Sequence, residues 1–247
     1  MGTREHRPTV PTTRLRKPEA HVTTDQREAT TVGSVVSVNV GIPRDVDWAG
    51  RIVRTAIWKA PTDERVRVEY DNLAGDEQAD LRVHGGPDKA VYVYASEDYR
   101  WWEAQLGVPL DPGTFGENLT TEGLALDDAV IGETWAVGTA VLQVAQTRQP
   151  CFKLGIRMGD ARFVQEFDRA RRFGVYLRII EVGDVGVGDG ITLLSRPTHG
   201  MTTAMFADAL DSHDPHVIRR LVEIDAVPDG IKVWAGRQID RAGRTGS

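Results

Sequence analysis

Three short stretches carry the residues best suited to chemistry. The first, Gln-Thr-Arg-Gln-Pro-Cys-Phe-Lys-Leu at 146–154, holds the only cysteine in 247 residues. The preceding Ala140-Val141-Leu142-Gln143-Val144 reads as a strand and Thr147-Arg148-Gln149-Pro150 as a turn. Cys151 therefore falls just beyond a strand end and close to Arg148, where cations and backbone amides stabilise a thiolate. A thiolate is a nucleophile and a soft metal ligand. Lone cysteines are more commonly inert buried residues, so residue type alone leaves Cys151 between packing and chemistry.

The second stretch is Val83-His84-Gly85-Gly86-Pro87-Asp88-Lys89-Ala90, running straight into Val91-Tyr92-Val93-Tyr94. Adjacent glycines let a backbone approach closely, and their amides can form an anion-binding nest that Lys89 would complete as a point charge. A tight turn before a strand explains the same residues. The third is Gly113-Thr114-Phe115-Gly116-Glu117-Asn118-Leu119. The amide of Asn118 offers a donor and an acceptor to a heterocycle, although turn formation again suffices.

The elements around these stretches are mostly short strands. The β-branched run from Gly33 to Val40 opens the folded part. Further strands are predicted over 65–70, 90–95, 134–137, 140–145, 175–182 and 191–194. Gly-acid turns at Gly132-Glu133 and Gly188-Asp189 precede resumed strands and reverse the sheet, so the spacing predicts a barrel or sandwich. One helix is predicted from Ser96 to Leu106, ended by Gly107, and another capped by Asp160 with Phe163, Val164 and Phe167 as its apolar stripe. After Pro197 the texture becomes helical, with segments at 204–210, 217–222 after Pro215 and 231–239 after Pro228. The expected organisation is a disordered tail over 1–31, a strand-rich domain over 32–197, a three-helix extension over 198–240 and a short tail over 241–247.

Composition narrows the functional classes. A hydrophobic fraction of 40% with 27% charged residues is that of an ordinary globular protein. A net charge of −6 gives no general attraction to nucleic acid or an anionic membrane. The sequence has no apolar run of spanning length and no secretory leader pattern. The chain is therefore expected to be cytoplasmic, with neither a nucleic acid polymer nor a membrane as partner.

Several other features have bland explanations. His213 and His216 flank Pro215 at a helix start without a third ligand. Arg169 to Arg172 read as a solvated helix face, and Trp101-Trp102 as a helix with one ring turned to the core. The sequence has no Cys cluster for an iron–sulfur centre and no Gly-x-Gly-x-x-Gly after a strand.

In order, Val-His-Gly-Gly-Pro-Asp-Lys-Ala (83–90), Phe-Gly-Glu-Asn-Leu-Thr-Thr-Glu-Gly-Leu (115–124), Ile-Gly-Glu (131–133) and Arg-Gln-Pro-Cys-Phe-Lys-Leu (148–154) resemble the signature of MOSC domains. The family is named for the C-terminal domain of molybdenum cofactor sulfurase. Within it the chain is similar to the YiiM-like branch, whose members carry a C-terminal three-helix extension. The resemblance spans roughly 33–240.

It implies a mainly β (α+β) fold, a MOSC-type β-barrel with peripheral helices. It also implies binding of the molybdenum cofactor, molybdopterin, with Cys151 as both the metal ligand and the catalytic residue. Cofactor-binding roles then fall to His84, Gly85, Gly86 and Lys89, with Gly116, Glu117, Asn118 and Arg148. The implied activity is reduction of N-hydroxylated small molecules, such as N-hydroxylated purine bases, with electrons from a separate reductase. Pyridoxal phosphate, used by a further domain of the sulfurases, has no matching layout in this chain. A second reading keeps Cys151 as a sulfur carrier that holds a persulfide.

Overall fold

The structure, a computed structural model, describes residues 30–79, 85–212 and 214–245. The chain folds around β6 (Val91–Ala95), which is buried along its whole length. Val91 and Val93 join one core while Tyr92 and Tyr94 join another. A strand enclosed on both faces reads as a continuous apolar run rather than an alternating one, as Val-Tyr-Val-Tyr-Ala does.

Counting in chain order, the remaining strands are β1 (Thr30–Val40), β2 (Arg44–Trp48), β3 (Arg51–Thr55), β4 (Ala60–Thr62), β5 (Val66–Val68), β7 (Leu119–Glu122), β8 (Thr134–Val137), β9 (Ala140–Thr147), β10 (Val175–Glu181), β11 (Gly183–Val185) and β12 (Gly190–Ser195). Seven close a ring in the order β12-β8-β9-β10-β6-β7-β1 and back to β12, with β4 attached outside on β1. The β6–β7 pair is parallel and the others are antiparallel.

Barrel closure falls on β1, whose register shifts twice, between Thr31 and Gly33 and between Val35 and Ser37. Such bulges bend and twist a strand, which lets β1 meet β12 through its first half and β7 further on. A parallel pair needs a crossover. Helix α1 (Ser96–Leu106) supplies it, with acids in its first turn and Gly107 closing it at φ 70°.

Helices α2 (Phe152–Met158) and α3 (Phe163–Ala170) join α1 over the outer face of β6. Beneath them lies an aromatic cluster in which Trp102 stacks on Phe167 at 5.8 Å and Tyr94 meets Phe115 at 4.6 Å. The barrel interior is the second core, filled by Val35, Val38, Leu119, Trp135, Leu142, Leu177 and Ile191.

At the C-terminus stand α4 (Thr203–Asp211), α5 (Pro215–Glu223) and α6 (Asp229–Thr245). Thr202 and Asp214 cap the first two by accepting from the amides of Met205 and His216. Helix α4 is sewn to the barrel by Thr203, whose hydroxyl donates to the Leu126 carbonyl and whose amide donates to Ala129. Gly132 sits beneath this segment at φ 88°, where a Cβ would come within 2.7 Å of Ala226. Among the described residues, no helix is long and apolar enough to cross a membrane.

The sequence-based expectations need specific corrections. Strand β1 begins at Thr30, inside the expected tail, and α6 runs to Thr245, past the expected boundary at 240. Asp160 does not cap α3: the capping residue is Arg162, and Asp160 accepts from its amide at 2.8 Å. Arg171 and Arg172 are not merely solvated, because they pair with Asp208, Asp211 and Asp98. His213 lies outside the described residues.

Phe206 is fully buried where α4 meets the barrel core. Phe206→Ala is expected to lower unfolding free energy by about 3 to 5 kcal/mol, measured by urea denaturation.

Candidate functional site

The outward face of β6 builds one wall of the site. Tyr92 is fixed at every polar atom: its amide donates to Asn118 Oδ1 at 3.0 Å, its carbonyl accepts from the Asn118 amide at 2.8 Å, and its hydroxyl donates to the Phe173 carbonyl at 2.7 Å. Its ring lies 5.0 Å from Tyr176 of β10. Arg148, just past the end of β9, covers this ring with its guanidinium 5.0 Å from the centroid, donating to the Tyr92 hydroxyl and the Phe115 carbonyl. Burial alone would weaken its charge, but the Tyr92 and Tyr176 hydroxyls and Cys151 outweigh that, and its pKa lies above the ordinary value.

Cys151 is the residue from which α2 starts, held in an extended conformation at φ −132° and ψ 163°. It is partly exposed and opens into a cavity of about 90 Å³. Among the described residues, four cations, Lys59, Lys89, Arg148 and Lys153, line this space against a single carboxylate, Glu77. Lys89 arrives from the turn at Pro87–Lys89. Burial lowers its pKa, while Asp88 and Cys151 partly restore it.

Lys59 is tied to a buried acid. Its ammonium lies 2.5 Å from Asp76 Oδ2, with side-chain exposures of 9% and 1%. Asp76 also accepts from the Gly41 amide and from Asn118 Nδ2, each at 2.9 Å. Burial holds the pKa of Lys59 below its ordinary value despite the attraction of Asp76.

Of the residues singled out from sequence, Lys89, Gly116, Asn118, Arg148 and Cys151 meet on this cavity. Gly116 is at φ 79°, with Ile57 only 3.0 Å from where a Cβ would sit, so the loop can press against β3's continuation. Asn118 is on the wall, but both ends of its amide are taken up by Tyr92 and Asp76. Glu117 points elsewhere. Fully buried, it accepts on Oε1 from Tyr99, the Gly113 amide and Thr120, and so shapes the 113–118 loop from behind. Burial raises its pKa.

Gly85 and Gly86 do not line the cavity. Gly86, at φ 93°, turns the chain toward Lys89. His84 lies outside the described residues. The sequence reasoning missed Lys59, Lys153, Tyr92 and Tyr176. Lys153 was inside the cysteine motif, while Lys59 sits in a segment with no motif and is marked only by its buried partner.

This geometry can hold an anionic ligand against a thiol. Among the described residues, no group of three or more His, Cys, Asp or Glu side chains is placed to hold a metal ion.

Fold and site together define a closed mixed barrel carrying a thiol among cations. Residues 80–192 match the MOSC domain family. "Uncharacterized protein YflK" of Bacillus subtilis (strain 168) is 41% identical over 181 residues, covering 73% of this chain and 81% of that one. A "Reductase" of Gibberella moniliformis (strain M3125 / FGSC 7600) is 34% identical over 154 residues, 60% of this chain but 27% of its own length. The crystal structure of YiiM from Geobacillus stearothermophilus superposes with a TM-score of 0.71 at 27% identity, covering 84% of this chain and 99% of that one. The chain belongs to the MOSC domain family and is a YiiM-like member of it.

Asp76→Asn leaves the Lys59 ammonium buried without its counter-charge, a loss expected to cost about 3 to 5 kcal/mol of stability near neutral pH. Because the folded-state pKa of Lys59 lies below its unfolded value, the folded protein binds fewer protons, and this penalty shrinks as pH rises toward 10.5. Urea unfolding of wild type and variant across that range should show the gap narrowing with pH.

Proposed function

We propose that this protein is a molybdenum-cofactor-dependent reductase of N-hydroxylated small molecules, with planar N-hydroxylated bases as the expected substrate class. The observation that carries this reading is Cys151 opening into a small cavity lined by four cations. Thiolate is a soft donor suited to molybdenum, and the pterin cofactor is anionic. Its phosphate and metal-bound groups would meet Lys59, Lys89, Arg148 and Lys153. Family membership and the name of the fungal relative support the same reading.

When bound, the cofactor would supply a two-electron redox centre for reductive cleavage of the substrate's N–O bond. The net change is R–NHOH plus two electrons and two protons giving R–NH2 and water, so an external electron-donor protein is required. The chain's own residues do the rest. Cys151 would hold the metal end of the cofactor, and Arg148, three residues before it, is fixed by Tyr92 and Phe115. Lys59 and Lys89 place ammonium protons on the cavity wall, and burial lowers the pKa of both, which eases proton release. Tyr92 and Tyr176 line the same cavity.

Expression in a host that makes the cofactor, followed by elemental analysis, tests the reading. Wild type is expected to carry stoichiometric molybdenum and to reduce an N-hydroxylated base with an artificial one-electron donor. Cys151→Ser is expected to lose both. Metal-free wild type, purified beside a loaded control enzyme, overturns the proposal. Gain of one sulfur atom on Cys151 in intact mass, with no metal bound, would instead establish a persulfide carrier.

A further inference from the structure

A second cavity lies between the barrel and the C-terminal extension. It is an open groove of about 750 Å³, against about 90 Å³ for the cavity at Cys151. Residues 147–150 after β9, helix α3 and Phe173 line it from the barrel side, and α4 and α6 from the other. Among the described residues, Arg148 alone lines both cavities. Packed interiors leave few voids larger than a water molecule. Openings of this size between packed units are where small ligands bind.

The groove is apolar at its base. Phe173 is buried, with the Arg171 guanidinium 4.8 Å from its ring centroid, and Leu210, Ile231 and Trp234 are half-buried. The indole N–H of Trp234 donates to no acceptor among the described residues.

Three arginines reach the groove, and two are already engaged. Arg148 donates to Tyr92 and Phe115, and Arg171 to Asp208 and Asp211. Arg169 is left, next to Asp168 on α3, and among the described residues neither side chain has a hydrogen-bond or ion-pair partner. The amides of Gln149 and Gln165 are equally unengaged on the same rim. The uncommitted groups are thus one cation, one anion, two amides and an indole N–H. Such a set does not select an anion. It matches a neutral ring that carries both donors and acceptors along its edge, and the aromatic lining favours a flat one.

We propose that this groove is a second ligand site, for a neutral planar heteroaromatic molecule that stacks on Trp234 and is read along its edge by Gln149, Gln165 and Asp168. A molecule bound there lies against residues 147–150, the segment that leads to Cys151. The site requires no metal at Cys151, so it stands or falls apart from the proposed reductase activity.

The test titrates adenine into full-length protein with 15N-labelled tryptophan and follows the indole N–H cross-peaks of its six tryptophans by NMR. Trp234→Phe identifies the peak to follow. That peak is expected to shift saturably, while the peak of Trp135, sealed in the barrel core, stays in place and reports that each variant is folded. Benzoate, flat but anionic, and cyclohexanecarboxamide, neutral but not flat, should each bind at least about tenfold more weakly. Gln165→Ala and Asp168→Ala, both at exposed positions of α3, should each weaken adenine by about two- to tenfold, as loss of one hydrogen bond predicts. No saturable shift at Trp234, either control compound binding as tightly as adenine, or an affinity unchanged in both α3 variants overturns the proposal.

Discussion

A strand buried on both faces has no solvent to absorb a misplaced polar group, and β6 is such a strand. Its aliphatic residues complete the barrel interior while Tyr92 and Tyr94 anchor the aromatic core outside. Each polar atom of Tyr92 must find a partner within the protein. Those partners are Asn118, Phe173 and Arg148, which belong to the loops that shape the cavity. The need to satisfy one buried tyrosine thus couples the 113–118 loop, the end of β9 and the start of β10. The position of Cys151, three residues beyond Arg148, follows from that coupling.

Charge on this protein is organised locally. The chain as a whole is acidic, at −6, yet among the described residues the cavity gathers four cations against one carboxylate. Of these cations, Lys59 has a buried acid bound to it, and Arg148 has instead hydroxyl and carbonyl oxygens and two aromatic faces. Arg148 therefore keeps its charge without a carboxylate to neutralise it. Such a site attracts anions at short range while the outer surface does not attract polyanions.

Much of this was legible in the residues. Alternating and β-branched runs located β8, β9, β10 and β12, because strands that feed one core must repeat with period two. Strands β2 and β3 escaped because they form an exposed hairpin that pairs only with itself, so no buried face imprinted a pattern on them. Strand β7 was hidden inside Asn-Leu-Thr-Thr-Glu, whose threonines look solvated but are buried against β1 and β6. Helix α2 is only seven residues long and contains Gly155, too little for a helical period to register. In the site, Cys151, Arg148 and Lys89 were recognisable by type and order. Glu117 was read as a candidate for hydrogen bonds to a pterin or to the groups that support it, and its Oε1 accepts from its own loop, a detail that only three-dimensional contacts reveal. Lys59 carried no signal because its significance lies in Asp76, seventeen positions away in sequence.

The closure of the ring by β1 and β12 has a consequence in time. Thr30 pairs with Leu193, so the first strand of the barrel must wait for the last. During synthesis, β1 emerges long before its partner and has only β7 and β4 as interim neighbours. Pairing between distant segments is slow because the intervening chain must first be ordered. The cavity draws on segments from Thr55 to Tyr176, all enclosed within that span. The pocket therefore reaches its final shape only after the ribosome has released most of the chain, and a nascent polypeptide offers nothing for a large ligand to grip.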